Sequence, residues 1–321
     1  MGTTRLLRIG AAAVTGLAVA LTTALAVPGP AMAATNAELA ARWAPIHYQD
    51  TAATDYDADY LSQIDFDAEW STLNNWEHQD DNPAWLTGWV YYSVVTTSTH
   101  WFIVYGYYHP RDWCDTPLCA STDSHENDME GAVLTVRRDG STYGTFEAMV
   151  TVAHSNFYSY TPSGSPYTSG RETIDGIARM QSYNGFSRPT TWQEAKGHGC
   201  KAWNGNDFAG GDGVVYFPDA ATAEVPSSGN DRSVRYRLVD IFATGGLWLH
   251  RYDSATFYSW GTFRGDNGKD NAANSPWGWD DQDDGSDLPR GLLATDPAKL
   301  VSAYFGNEGV FSLTYEENGY R

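Results

Sequence analysis

From residue 125 to 130 the chain reads His-Glu-Asn-Asp-Met-Glu and then runs directly into the apolar stretch "GAVLTV". If this segment is a strand, Asp128, Glu130, Ala132, Leu134 and Val136 share one face, because side chains alternate with period two. Two carboxylates then point where a hydrophobic core is expected. Burying them requires a cation or a set of hydrogen-bond donors to replace lost hydration. His125, folding over the same face from the preceding loop, completes an H-x-x-D-x-E cluster. Mostly oxygen donors with one imidazole suit Mg²⁺, Ca²⁺ or Mn²⁺ better than a thiolate-seeking metal. An ordinary solvated acidic loop uses the same residue types, so the spacing alone is a weak motif.

Two further histidines sit where they could meet this cluster. His154 ends the β-patterned run "GTFEAMVTVAH", and His198 lies between two glycines in "KGHGC". Strand ends carry loops, so the expected place for both is the mouth of the same cavity, where an imidazole can act as acid or base near neutral pH. The run "WDDQDDGSD", Asp280 to Asp287, is a second carboxylate cluster ending near a Gly turn, of a kind that suits Ca²⁺. It is not an EF-hand loop, since it lacks the terminal bidentate Glu. The chain has no G-x-S-x-G elbow, no P-loop and no zincin H-E-x-x-H.

The elements that must position these residues read mainly as strands. "AWLTGWVYYSVVTT", "HWFIVYGYYHP", "GAVLTVRR", "GTFEAMVTVAH", "DGVVYFPD" and "GVFSLTYEEN" alternate with period two and are rich in β-branched and aromatic residues. Helix patterns are confined to "NAELAARWAP" and "TDPAKLVSAYFG", with "TWQEAKG" readable as a turn of helix or as strand. Short strands joined by Gly-, Asn- and Ser-rich connections predict a mainly β fold, an antiparallel β-sandwich with few short helices. A single domain is expected over 38–321. Residues 1–33 have the basic start, apolar middle and Ala31-Met32-Ala33 end of a secretory signal peptide, so export to the extracellular space is expected.

The formal charge is −20, and removal of 1–33 takes away Arg5 and Arg8 but no acid, leaving −22. Nucleic acid is excluded as a partner, because phosphate binding needs clustered Lys and Arg. Of the three cysteines, Cys114 and Cys119 would close a tight loop just before the acidic segment. Pairing of either with Cys200 is open at this level. The 13 Trp and 20 Tyr suit strand packing, and they also suit a glycan or lipid-headgroup surface.

"YGYYHPRD" followed by "HENDMEG" resembles the aromatic strand and central heptapeptide of the necrosis-inducing (Nep1-like) proteins. "RWAPIHYQD" and "RPTTWQEAKGHG" are similar to segments of the related vacuolar-sorting-protein-like β-sandwich family. Ala153-His154 matches an Ala-His pair that both carry at the end of the following strand. The resemblance implies two antiparallel sheets with an acidic cavity at one end holding Mg²⁺ or Ca²⁺. By position it implies Asp112, His125, Asp128 and Glu130 as the metal site, with His154 lining the cavity. Here Ser124 replaces a glycine, Asn127 a second histidine and Met129 a tryptophan, and the C-terminal third has no counterpart.

Together these readings predict a secreted, monomeric, metal-binding module that recognises a glycan or lipid headgroup, with peripheral membrane contact. The alternative is a metal-dependent hydrolase of phosphodiester, phospholipid or glycan substrates, with His154 and His198 as its acid/base pair. A purely structural role for the ion is the third.

Overall fold

Strand β4, His125–Arg137, is the centre of the architecture. Its apolar residues leave on alternating sides, so the sheet has a core on each face: Ala132, Leu134 and Val136 pack on one, Met129 and Val133 on the other. In the computed structural model the described residues are 1–2, 34–114, 119 and 124–321. The expected signal peptide lies outside them except at its first two residues. Met1–Ala33 and Ala34–Arg321 separate as two units, and the architecture described is that of the second.

Helix α1, Asn36–Trp43, begins with a capping box in which Thr35 and Glu38 each accept the other's backbone N–H. It stops at Ala44, before Pro45, where the α conformation is disfavoured. Leu39, Ala40 and Trp43 carry it onto the sheet. The strands that follow are β1 (Ile46–Asp50), β2 (Trp89–Thr97), β3 (His100–Asp112), β4, β5 (Thr145–Ala153) and β6 (Asn156–Thr161). β2 to β6 form an antiparallel meander. On the far side of β2 the sheet continues through Val234–Asp240, Gly213–Pro218, β1, Phe186–Gln193 and Cys200–Ala202.

The expected antiparallel sandwich is corrected by this topology. The protein is mainly β, but its large sheet is mixed: β1 runs parallel to Phe186–Gln193, Val234–Asp240 runs parallel to both Gly213–Pro218 and β2, and β6 runs parallel to Gly176–Ile177. Alternation reports which face a residue takes and not the direction of its neighbour. Parallel partners need long connections, which the lengthy irregular segments supply. The sheet also curls strongly, as a half-barrel: Cys200, in the strand at one end of the order, donates its N–H to Glu130 in β4 at 2.8 Å.

Helix α2, Asn75–Asp81, has no signature in the apolar pattern; it is held by Asn75 and Trp76 against β3 and β4. The C-terminal third covers the other face. Trp277, Trp279, Leu292, Leu293 and Tyr304 pack onto Phe102, Val104, Met129 and Val133. Gly131 permits this approach, since a Cβ there would collide with the Tyr105 carbonyl and the Trp279 ring. "TDPAKLVSAYFG" forms the helix Pro297–Tyr304, whereas "TWQEAKG" begins as strand and ends in a turn.

Candidate functional site

β3 and β4 pair in register, with Asp112 opposite His125, Arg111 opposite Glu126, His109 opposite Asp128 and Tyr107 opposite Glu130. Strict alternation would place His125 and Asp128, three apart, on opposite faces. They nevertheless reach one cavity because Asn127 is left-handed, with φ of 60°. Asparagine tolerates this conformation better than most residues. Its side chain also fixes it: Oδ1 accepts from Asn75 Nδ2 at 3.1 Å and Tyr108 Oη at 2.6 Å, while Nδ2 donates to the carbonyls of Thr72 and Arg264, both at 2.9 Å. Glu126 turns away from the cavity as well, its oxygens accepting the N–H groups of Trp76 and Asp266 at 3.0 and 3.1 Å. The polar residues of "HEND" therefore divide into two that lock the surrounding loops and two that face the cavity.

That cavity, 310 Å³, is lined by Asp112, His125, Asp128 and Glu130 at its floor and by His154, Lys269, Asn274, Trp279 and Gln282 around it. His125 Nδ1 donates to the Asn127 carbonyl at 2.8 Å, leaving Nε2 toward Asp112 Oδ2 at 3.4 Å. A backbone bond of this kind fixes the tautomer of a ligating imidazole. Burial pushes the His125 imidazolium down, but the bond to Asp112 and the charge of Asp128 more than reverse this and raise its pKa. Asp112 is raised chiefly by burial and by repulsion from Asp128, against the pull of His125. Glu130 is almost enclosed; its two oxygens accept the backbone N–H groups of His154 and Cys200. Burial, with the Asp128 charge beside it, still holds Glu130 well above the ordinary carboxylate range.

The two further histidines part company. His154 is half exposed at the rim, its Nε2 donating to Glu194 Oε1 at 2.7 Å, and that bond raises its pKa. His198, expected at the mouth, is fully buried behind the cavity. Its Nδ1 donates to Asp128 Oδ2 at 3.1 Å and its Nε2 to Asp59 Oδ1 at 3.2 Å, with the ring stacked on His109 at 3.8 Å. Burial alone would depress this imidazolium; the two carboxylates override it and lift its pKa to about 9. The glycines around His198 make room for protein atoms: a Cβ on Gly199 would sit 2.8 Å from Glu194 Oε1 and 3.2 Å from His154 Nε2.

Asp59 and Glu194 are thus partners of the site that sequence reading missed. Asp59 sat in "YDAD" among other acids, and Glu194 in the helix-or-strand ambiguity of "TWQEAKG". Cys114 is bridged to Cys119 at the end of β3, and Cys200 is a buried thiol. Three carboxylates and an imidazole nitrogen with its other nitrogen tied to the backbone form a donor set that fits a hard divalent ion. The four are more widely spread than a closed coordination shell: among the described residues, the three side chains whose ligand atoms all come within 4.8 Å of one another are Glu172, Asp283 and Asp284.

No family model and no curated protein matches the chain. Among solved structures it is similar to one described as a toxin fold for microbial attack and plant defense, at 15% identity over 68% of each chain with a TM-score of 0.32. It is also similar to necrosis and ethylene inducing protein 2 from the causal agent of cocoa's witches' broom disease, at 13% identity over 64% of this chain and 76% of that one, with a TM-score of 0.32. A third is a Nep1-like protein solved in complex with glucosamine, at 19% identity over 36% of this chain and 46% of that one, with a TM-score of 0.21.

Proposed function

We propose that this chain is an exported, toxin-like binding module that holds one divalent cation, Mg²⁺, Ca²⁺ or Mn²⁺, in the cavity through Asp112, His125, Asp128 and Glu130. The ion bridges the protein to a glycan at a cell or polymer surface. The observation that carries this reading is the convergence of three carboxylates and the His125 imidazole, whose Nε2 points to Asp112 rather than to the backbone, on one open cavity. A cation would offset their desolvation and mutual repulsion. Around it, Lys269, Asn274 and Gln282 offer hydrogen bonds and Trp279 an apolar face, the mixture that sugars require. A phospholipid headgroup could use the same ion, but a formal charge of −20 disfavours approach to an anionic bilayer, so a neutral sugar is the preferred ligand.

A hydrolytic reading has one supporting observation, the half-exposed His154–Glu194 pair on the cavity rim. There His154 would serve as the acid or base, while the enclosed His198 would act only through Asp128. The two readings separate in one experiment: a panel of glycans, phospholipids and phosphodiesters presented with divalent cation or with chelator. Cation-dependent retention without product formation supports the binding module, and cation-dependent turnover lost in His154→Ala supports the hydrolase. Retention indifferent to chelator contradicts both.

A further inference from the structure

The Asp280–Asp287 run plays only a small part in the cavity, contributing Gln282 to its wall. None of its acids lines that cavity, and two of them join a separate cluster. There Asp283 and Asp284 meet Glu172, which arrives from the segment after Thr168–Ser169, with ligand atoms of all three within 4.8 Å of one another. Clustered acids alone would be a solvated surface, but this group reaches into the core. Asp284 and Asp281 are each only 7% exposed, and in both carboxylates Oδ1 is buried with no hydrogen-bond partner. An orphaned, buried carboxylate oxygen is costly and calls for a missing partner.

The protein donors nearby do not fill that need. Tyr304 Oη lies 2.6 Å from Asp284 Oδ2 and 2.9 Å from Asp281 Oδ2, yet one phenol has one proton to donate. The N–H of Phe157 adds one bond to Asp281 at 3.0 Å, again at Oδ2. Arg171, next to Glu172, spends its guanidinium on Asp287 and on the carbonyl of Asp284; Lys299 donates to the carbonyl of Asp287 at 2.6 Å. Desolvation accordingly raises the pKa of Glu172 and Asp284, and pushes Asp281, with Asp283 beside it, up to about 6.

We infer that Glu172, Asp283 and Asp284 form a second cation site, built for Ca²⁺, with Asp281 as the adjoining carboxylate. The donors are all oxygen and come from two separate loops, which suits the irregular, oxygen-only shell of Ca²⁺ better than the strict octahedron of Mg²⁺. Occupancy ties the Glu172 segment, the Asp281–Asp284 loop and Tyr304 together. The same loop carries Trp279 and Gln282 into the first cavity, and the backbone N–H of Gln282 donates to Ser155 at 3.1 Å. The second ion therefore braces one wall of the first site.

Calorimetric titration of the folded chain with Ca²⁺ tests this. Glu172→Gln combined with Asp283→Asn, both at positions with solvent access, is expected to remove one Ca²⁺ equivalent or weaken it at least tenfold. Asp128→Asn, in the first cavity, is expected to leave that equivalent in place. Glu172→Gln alone serves as a milder variant if the pair perturbs folding, and is expected to weaken the same equivalent. Ca²⁺ stoichiometry and affinity unchanged by the Glu172 and Asp283 substitutions, or no Ca²⁺ bound by the parent chain, would overturn the assignment. If the parent binds a single Ca²⁺ that these substitutions remove and Asp128→Asn does not, the second site stands and the first cavity does not take Ca²⁺.

Discussion

Asp128 faces the cavity with one side and accepts the Nδ1–H of His198 with the other, so its charge is held in place by a fully buried imidazolium that Asp59 supports from behind. Asp128→Asn removes one ligand charge and breaks that relay, and cavity cation affinity measured by calorimetry is expected to fall at least tenfold, about 1.4 kcal/mol. A different residue tests the electrostatics away from the site. Asp50, at the end of β1, is buried with an unpartnered Oδ1, and burial together with the Asp59 charge raises its pKa from 3.8 to about 6. The fold thus prefers the neutral acid: the stabilisation is complete below pH 3.8 and is lost as pH rises through about 6. Asp50→Asn is expected to stabilise the fold at pH 7–8 by about 1–2 kcal/mol, seen as a higher melting temperature, and to change little at pH 4. Equal shifts at both pH values would show that the carboxylate is compensated. At this scale, the sequence made Asp128 and Glu130 legible through period-two spacing. It could not reveal that His198 is buried, because its flanking glycines look the same whether they admit a ligand or, as here, the His154 and Glu194 side chains.

β4 carries the site only because one residue breaks its regularity. Asn127 closes four side-chain hydrogen bonds and adopts the left-handed backbone that brings His125 round to Asp128. Asn127→Ala is expected to cost about 3 kcal/mol in chemical denaturation, from the unmet groups of Thr72, Arg264, Asn75 and Tyr108. It should also weaken cation binding while every candidate ligand is still present. Asn127→Gly, free to keep the positive φ, should recover some affinity but little stability. If the alanine variant keeps both, the kink is not what positions His125. The strands themselves were readable, β3, β4 and β5 especially, since each is a run rich in apolar, β-branched and aromatic residues. The kink was not, because the left-handed conformation depends on partners contributed by α2 and by the segment around Arg264, far away in sequence.

Across the whole molecule, the mixed topology follows from pairings such as β1 with Phe186–Gln193, which no local pattern encodes, and the curl of the sheet is what delivers the Cys200 N–H to Glu130. The large excess of acid also makes a prediction at this scale. With a formal charge of −20, the protein is expected not to float with phosphatidylserine vesicles in a flotation assay lacking divalent cation, and robust flotation there would argue for a lipid ligand in place of a sugar. Glycan binding as proposed depends on the cation in the first cavity. The most direct measurement is calorimetric titration of Ca²⁺, Mg²⁺ and Mn²⁺ into the Glu172→Gln/Asp283→Asn chain, which silences the second cluster, with and without Asp128→Asn. One equivalent of at least one of the three ions, weakened at least tenfold by Asp128→Asn, is the expected result; no binding of any of them, or binding unchanged by that substitution, would contradict it.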